Sequence, residues 1–338
     1  MSDKADNAGE SYSKERRRFL LRAVQTGGLA LGACLAYRWL YDPRGPQSLS
    51  RARQQLEKLP DWSLAREGAS MAIVKGDNRH KTLDAAVEAL GGISRFVKKG
   101  DRVLLKVNAA FATPPDLGAT THPDLVEAMV KLCLAAGASE VFVADNPIND
   151  AQTCFRLTGI GAAAEKAGAR VIMPTSRSFV PFTLENGVLI RHWPLFYEPL
   201  ARATKVIGLA PVKHHNRSGA SMTMKNWYGL LGGRRNIFHQ DINTIITELA
   251  CMVRPTLVVL DGTVVMMTNG PTGGSLSDLV PAHTLIVSTD MVAADSFGAT
   301  LLGRRVEDLP YLSMGEKAGR GTTNFESLGP KRLEVASA

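Results

Sequence analysis

From Met71 onward, short apolar runs alternate with stretches of helical periodicity, and no other feature of the sequence narrows the fold so far. Residues 72–75, 102–107, 141–144, 170–173, 206–211, 257–260 and 285–288 read as strands. Residues 83–90, 122–136, 160–167, 242–253 and 291–302 read as helices, with apolar side chains at helical spacing such as Leu125, Met129, Leu132 and Cys133. Strand and helix in regular succession argue for an α/β fold with a mostly parallel sheet. Residues 179–193 break the pattern, because alternating side chains there flank Glu185-Asn186-Gly187, the turn chemistry of a β-hairpin. At 338 residues the chain exceeds one typical domain. The expected architecture is two α/β lobes with mostly parallel sheets and a ligand cleft between them, within residues 71–322. Residues 42–70 read as a tether and residues 323–338 as a loosely ordered tail.

Four strands close on polar residues: Asn108, Asp145, the pair Lys213 and His214, and Asp261. In a doubly wound sheet such ends fall along one edge, where ligands bind. Strand ends also meet water, and for any one of the four a solvated end explains the residue equally well. The densest segment is 213–239, which holds His214, His215 and His239 together with Lys213 and Lys225. Lys213, His214 and His215 fall just past the strand at 206–211. Ser218 to Ser221 then read as opening a helix whose backbone N–H groups meet an anion.

Lys225 lies among Met222, Met224, Trp227 and Tyr228. Desolvation there favours the neutral amine, a nucleophile or base, although a packed stem with its head in water is the commoner fate of such a lysine. His214 and His215 are consecutive in extended backbone and point to opposite faces, so at most one serves a given metal. His122 precedes a helix that Thr120 or Thr121 would cap, with Pro123 in its first turn. A cap does not call for an imidazole, which leaves His122 as a catalytic candidate. Residues 269–274 read either as an ordinary turn cluster or as a loop that closes over a ligand.

A net charge of +8 is mild for this length, and no basic block with interleaved aromatics occurs, which argues against nucleic acid. The four cysteines, Cys34, Cys133, Cys154 and Cys251, are widely separated and form no paired metal spacing. At the start of the chain, Arg16 and Arg17 followed by Phe19 and Leu20 match the twin-arginine export pattern, and a weakly hydrophobic run follows. Residues 1–41 are therefore expected to be a signal or membrane anchor read by the twin-arginine translocation machinery. Residues 31–34 have the form of a lipobox ending on Cys34, so lipidation and an uncleaved anchor both remain open. The expected location is the periplasm or the outer face of the cytoplasmic membrane.

Several short motifs occur in one order: Lys106-Val107-Asn108, residues 118–123, Lys213-His214-His215, Met224-Lys225-Asn226, Phe238-His239, Asp261-Gly262 and Asn269-Gly270-Pro271. As a set, over residues 71–303, they resemble the family catalogued as domain of unknown function 362. A more distant likeness is to the nickel-pincer lactate racemase family, in which a lysine tethers a nicotinate-derived nickel cofactor and a downstream histidine binds the metal. Lys225 and His239 stand in similar order here.

Two functions follow as expectations. The first is an exported protein that binds a metal or organometallic cofactor for redox or isomerase chemistry. In it Lys225 and His122 are catalytic, Lys106, Asn108, Lys213, Ser218 and Asn226 hold the cofactor, and His214, His215, His239 and Asp261 supply metal ligands. The second is a non-catalytic periplasmic binding protein that clamps an anionic small molecule with Lys213, Arg217, Lys225 and the 218–221 segment.

Overall fold

The computed structural model describes residues 3–40, 56–64 and 70–336, in two compact units, Met1–Arg53 and Gln54–Ala338. The first unit is helix α1 (Asp3–Leu40), and the arginine pair falls within it. Its segment Arg17–Arg38 is 22 residues long with a mean hydropathy of 1.4, and none of it is buried against protein. That length and composition suffice to cross a membrane. Much of the expected tether, residues 42–55 and 65–69, lies outside the described residues. Residues 56–64 belong to the second unit: Leu59 and Trp62 are buried in its core, and the Trp62 indole N–H donates to Ala203 O at 3.1 Å.

In the second unit β1 (Met71–Lys75), α2 (Arg79–Ala89), β2 (Arg102–Lys106), α3 (Pro123–Ala135) and β3 (Glu140–Ala144) follow one another as the periodicity predicts. Helices α4 (Ala151–Leu157) and α5 (Ile160–Lys166) lead to β4 (Arg170–Ile172). The hairpin forms from β5 (Phe179–Phe182) and β6 (Trp193–Phe196), and its second strand begins where the sequence pattern places the hairpin's end. After α6 (Glu198–Arg202) come β7 (Lys205–His215), β8 (Gly219–Ser221) and the short α7 (Thr223–Asn226). Helix α8 (Ile242–Met252), β9 (Leu257–Met266), β10 (Leu279–Ser288), α9 (Met291–Leu301), α10 (Pro310–Lys317) and β11 (Lys331–Glu334) complete the unit.

Instead of two lobes, one sheet runs through the unit in the order β11-β1-β10-β9-β7-β2-β3-β4, with β8 paired to β7. The halves are joined because β7 pairs in parallel with both β2 and β9. Only β10, antiparallel to β1 and β9, and β8 depart from parallel pairing. Leu83, Val87, Leu125, Met129 and Phe155 cover one face of the sheet, while Met224, Ile245, Leu249, Val292 and Leu312 cover the other. Strands buried on both faces lose the apolar-polar alternation, which is why they read as continuous apolar runs. The tail is also ordered. Residues 331–334 pair in parallel with β1 as an exposed edge strand, and its charged side chains concealed it.

One difference in strand length shapes the site. Strand β2 ends at Lys106, opposite Gly208, whereas β7 continues to His215. Lys213, His214 and His215 are thus inside the strand rather than beyond it, held by β8 and by Lys213 pairing with Met266 across a register shift at Pro211. Proline has no N–H to give a ladder, and an irregularity is where a strand tolerates it.

Candidate functional site

The overhanging end of β7 rests on a buried polar lock. Lys106 Nζ pairs with Asp145 Oδ1 at 2.9 Å and donates to Val107 O at 2.6 Å and Asn226 O at 2.9 Å. Burial pulls Lys106 below its ordinary range, and Asp145 offsets that pull. The Asn226 side-chain amide donates to Lys106 O and Leu209 O, tying α7 across β2 and β7. Thr121 Oγ1 donates to Leu209 O and accepts from Asn108 N. Gly229 packs onto the ion pair so closely that a Cβ there would overlap Asp145 Oδ1. The three ammonium protons of Lys106 and both amide protons of Asn226 are spent inside the protein, so neither offers a donor to a cofactor. Asn108 is 8 % exposed, and its Oδ1 accepts from Ala110 N at 3.4 Å.

Above the lock lies a cluster of cations. Lys213 is 1 % exposed; its Nζ donates to Ala119 O at 2.5 Å and to Pro271 O at 3.2 Å, and lies 5.1 Å from the centre of the Phe111 ring. The 269–274 segment therefore closes over Lys213 with a backbone carbonyl. Lys225 is 8 % exposed, and its Nζ sits 4.8 Å from the Tyr228 ring centre with no hydrogen bond or carboxylate partner among the described residues. Arg235 is buried and donates to Tyr228 O, Leu231 O and Asn146 O. Burial, and then Lys225, pushes Lys213 down to about 7. Burial, and then Arg235, pushes Lys225 to about 7 as well.

The histidines divide by tautomer. His215 Nδ1 accepts from the backbone N–H groups of Arg217 and Ser218, and His214 Nδ1 accepts from Gly270 N. A backbone N–H only donates, so each neutral ring carries its proton on Nε2. A metal at either Nε2 would move that proton to Nδ1, against the amide donors. His239 is the reverse: its Nδ1 contacts Asn236 O at 3.1 Å, which only accepts, and the Tyr228 hydroxyl, which itself donates to Arg235 O. Its Nε2 is therefore the unprotonated nitrogen. The His215 and His239 rings stack at 5.6 Å. Burial, then the charge of Lys225, lowers both from the usual imidazole value, His215 to about 2.

Asp261 is not with them. It lies within β9, where its carboxylate pairs with Arg79, accepting from Arg79 Nε–H at 2.7 Å, and also accepts from Thr263 N. Beside it an open cleft of about 550 Å³ is lined by Arg79, Asp116, Thr120, His122, Asp261 and Val264. His122 is itself the N-cap of α3, its Nδ1 accepting from Asp124 N at 3.2 Å, so the imidazole does supply the cap. Burial, then Arg79, lowers its imidazole from the ordinary value. This cleft shares no residue with the Lys225 cluster. Among the described residues no three His, Cys, Asp or Glu side chains come together as a metal site. With only one imidazole nitrogen free, the expected set of His214, His215, His239 and Asp261 does not fit a protein-held metal, which takes three or four ligands.

The 218–221 segment also differs from expectation. It forms the turn and strand β8 rather than a helix start, and Ser218 is spent on that turn: its hydroxyl donates to Ala220 O and its N–H to His215. The first amides of α7, Thr223 N and Met224 N, are already capped by Asp295 at 2.8 and 3.0 Å. Burial lifts that carboxyl to about 7. Asp295 was legible as a lone acid in an apolar helix, and Arg235 as the second arginine after a Gly-Gly turn. Arg79 carried no signal at all.

Among characterised relatives, the chain is 27% identical over 265 residues to the thylakoid-associated protein sll1697 of Synechocystis, covering 74% of this chain and 78% of that one. Among solved structures it is similar to the lactate racemase apoprotein from Thermoanaerobacterium thermosaccharolyticum, with 13% identity and a TM-score of 0.37 over 72% of this chain. It spans 61% of that protein's length. The family described as "Domain of unknown function (DUF362)" matches residues 103–300, and the chain, with the motifs and the α/β sheet laid out above, belongs to it.

Proposed function

We propose that the chain binds a small anionic molecule at the overhanging end of β7, with Lys225 as its central contact. The observation that carries this is a charge imbalance. Lys106, Lys213, Lys225 and Arg235 are buried together, and among the described residues the one carboxylate in their mutual electrostatics, Asp145, is already paired with Lys106. Buried charge without a counter-charge is costly, and a bound anion removes that cost. His215 adds a neutral Nε2–H donor beside it. The tautomers of His214 and His215 weigh against a metal held by protein ligands, so the anion-binding reading is preferred to the metal reading.

We also propose that the second unit is carried to the outer face of a membrane by the twin-arginine machinery and held there through residues 17–38. The apolar helix and the thylakoid-associated relative support membrane association.

The test of the site is thermal unfolding with inorganic phosphate or succinate. Anion binding draws protons onto Lys213 and Lys225, whose folded values lie near 7, so both anions should raise Tm more at pH 6 than at pH 8. The groups facing these lysines are Arg235, His215, His239 and the Lys106–Asp145 pair; His215, at about 2, stays neutral across that range, and burial lowers His239 from its ordinary value as well. Phosphate also stabilises proteins generally. The Lys225→Met variant isolates the site: equal shifts in variant and wild type at pH 6 would reject the proposal.

A further inference from the structure

We propose that Lys225 forms an imine with a small anionic carbonyl compound, an inference that rests on the anion-site reading and deepens it. Three lysines are buried at this edge of the sheet, and two have their nitrogens committed: Lys106 to Asp145 and two backbone carbonyls, Lys213 to Ala119 O and Pro271 O. Among the described residues Lys225 Nζ has only the face of Tyr228, 4.8 Å away, and the residue keeps 8 % of its surface. An amine in this setting, with a value of about 7, is about half neutral at pH 7. An ordinary lysine is neutral in well under about one molecule in a thousand at that pH.

The surroundings match the steps of the reaction. The Nζ lone pair attacks the carbonyl carbon, a C–N bond forms, and the C=O π pair moves to oxygen. The nearby Lys213 and Arg235 charges favour that developing negative oxygen. The nitrogen then loses a proton and the oxygen gains one. His239, linked to the same Tyr228 through its Nδ1, presents an unprotonated Nε2 suited to carry it. Loss of the hydroxyl as water, with the second nitrogen proton, leaves C=N. Amine and carbonyl thus give imine and water, with nothing oxidised or reduced. The cation excess selects a partner that also bears a carboxylate or phosphate.

The full-length protein is incubated at pH 7 with glyoxylate and cyanoborohydride, and peptides are then analysed by mass spectrometry. The expected product is one carboxymethyl group on Lys225, appearing at least about tenfold faster than on any other lysine, since most others are protonated at this pH. Acetaldehyde, which lacks the charge, should show a Lys225-to-surface ratio lower by about tenfold, and His239→Ala should slow glyoxylate trapping. If Lys225 labels no faster than surface lysines while phosphate still stabilises the wild type through the site, the imine is overturned and the anion site stands. If phosphate neither stabilises the protein nor slows the labelling, and acetaldehyde labels Lys225 with the same preference, the anionic class is overturned with the reading beneath it.

Discussion

Replacing Lys225 by methionine should stabilise the protein while abolishing anion binding. The side chains are similar in length, so the change removes charge with little loss of packing, and the site keeps its apolar lining of Met224 and Trp227. The fall of the Lys225 value from 10.5 to about 7 on folding fixes the sign. A depressed folded value contributes stability above the unfolded value, and that stability is lost as pH falls towards 7. Converted at about 1.4 kcal/mol per tenfold, the cost at pH 7 is at most about 5 kcal/mol. Relaxation reduces this, and exchanging buried ions for apolar residues of similar volume commonly gains about 1–4 kcal/mol. At roughly 2–4 °C per kcal/mol for a domain of this size, the variant should melt several degrees higher at pH 7. The measurement is denaturant or thermal unfolding of wild type and variant from pH 6 to 10.5. The advantage should be largest at pH 7 and below and should fade towards 10.5, where the folded amine is neutral and the unfolded one is half neutral. A variant less stable than wild type at pH 7, or an advantage independent of pH, would refute the reasoning.

The same substitution at Lys106 should have the opposite sign: Lys106→Met leaves the buried Asp145 without its cation and should cost about 3–5 kcal/mol, read by the same unfolding assay. Gly229→Ala, which forces a Cβ into Asp145 Oδ1, should destabilise by more than about 2 kcal/mol, and a neutral effect would mean that the lock is looser than described. For export, replacing Arg16 and Arg17 by lysine should leave the protein in the cytoplasm; an unchanged location after cell fractionation would remove the twin-arginine proposal.

Much of the fold was legible because its strands and helices carry strong apolar periods. What escaped was whatever local pattern cannot encode. Pro211 reads as a strand end, yet the strand survives it, since β8 and Met266 supply pairing that only the folded chain brings together. The edge strand at 331–334 is wholly exposed and charged, so it has no apolar signal to find. Length argued for two lobes, but β7 is shared between the strands on either side, and lobe number depends on that pairing rather than on residue count. Trp62, a lone aromatic in a polar stretch, was the one mark that the unit begins before Met71.

The site was legible as a segment but not as a chemistry. Segment 213–239 does gather Lys213, Lys225, His215 and His239, yet what each can do depends on partners from elsewhere in the chain. Gly270 N fixes the proton of His214 from a distant loop, and Asn236 O fixes that of His239 from within the segment. Asp145, just past β3, neutralises Lys106 and leaves Lys225 without a carboxylate partner among the described residues. Asp295 decides the matter most sharply. A helix opening after a run of small residues suggests an anion held by backbone amides, but here the protein's own carboxylate occupies those amides. In the proposed anion site the ligand is therefore held by side-chain cations. That proposal moves the centre of the site from the loop to Lys225, and under it binding depends on the protonation of lysines whose values lie near neutrality.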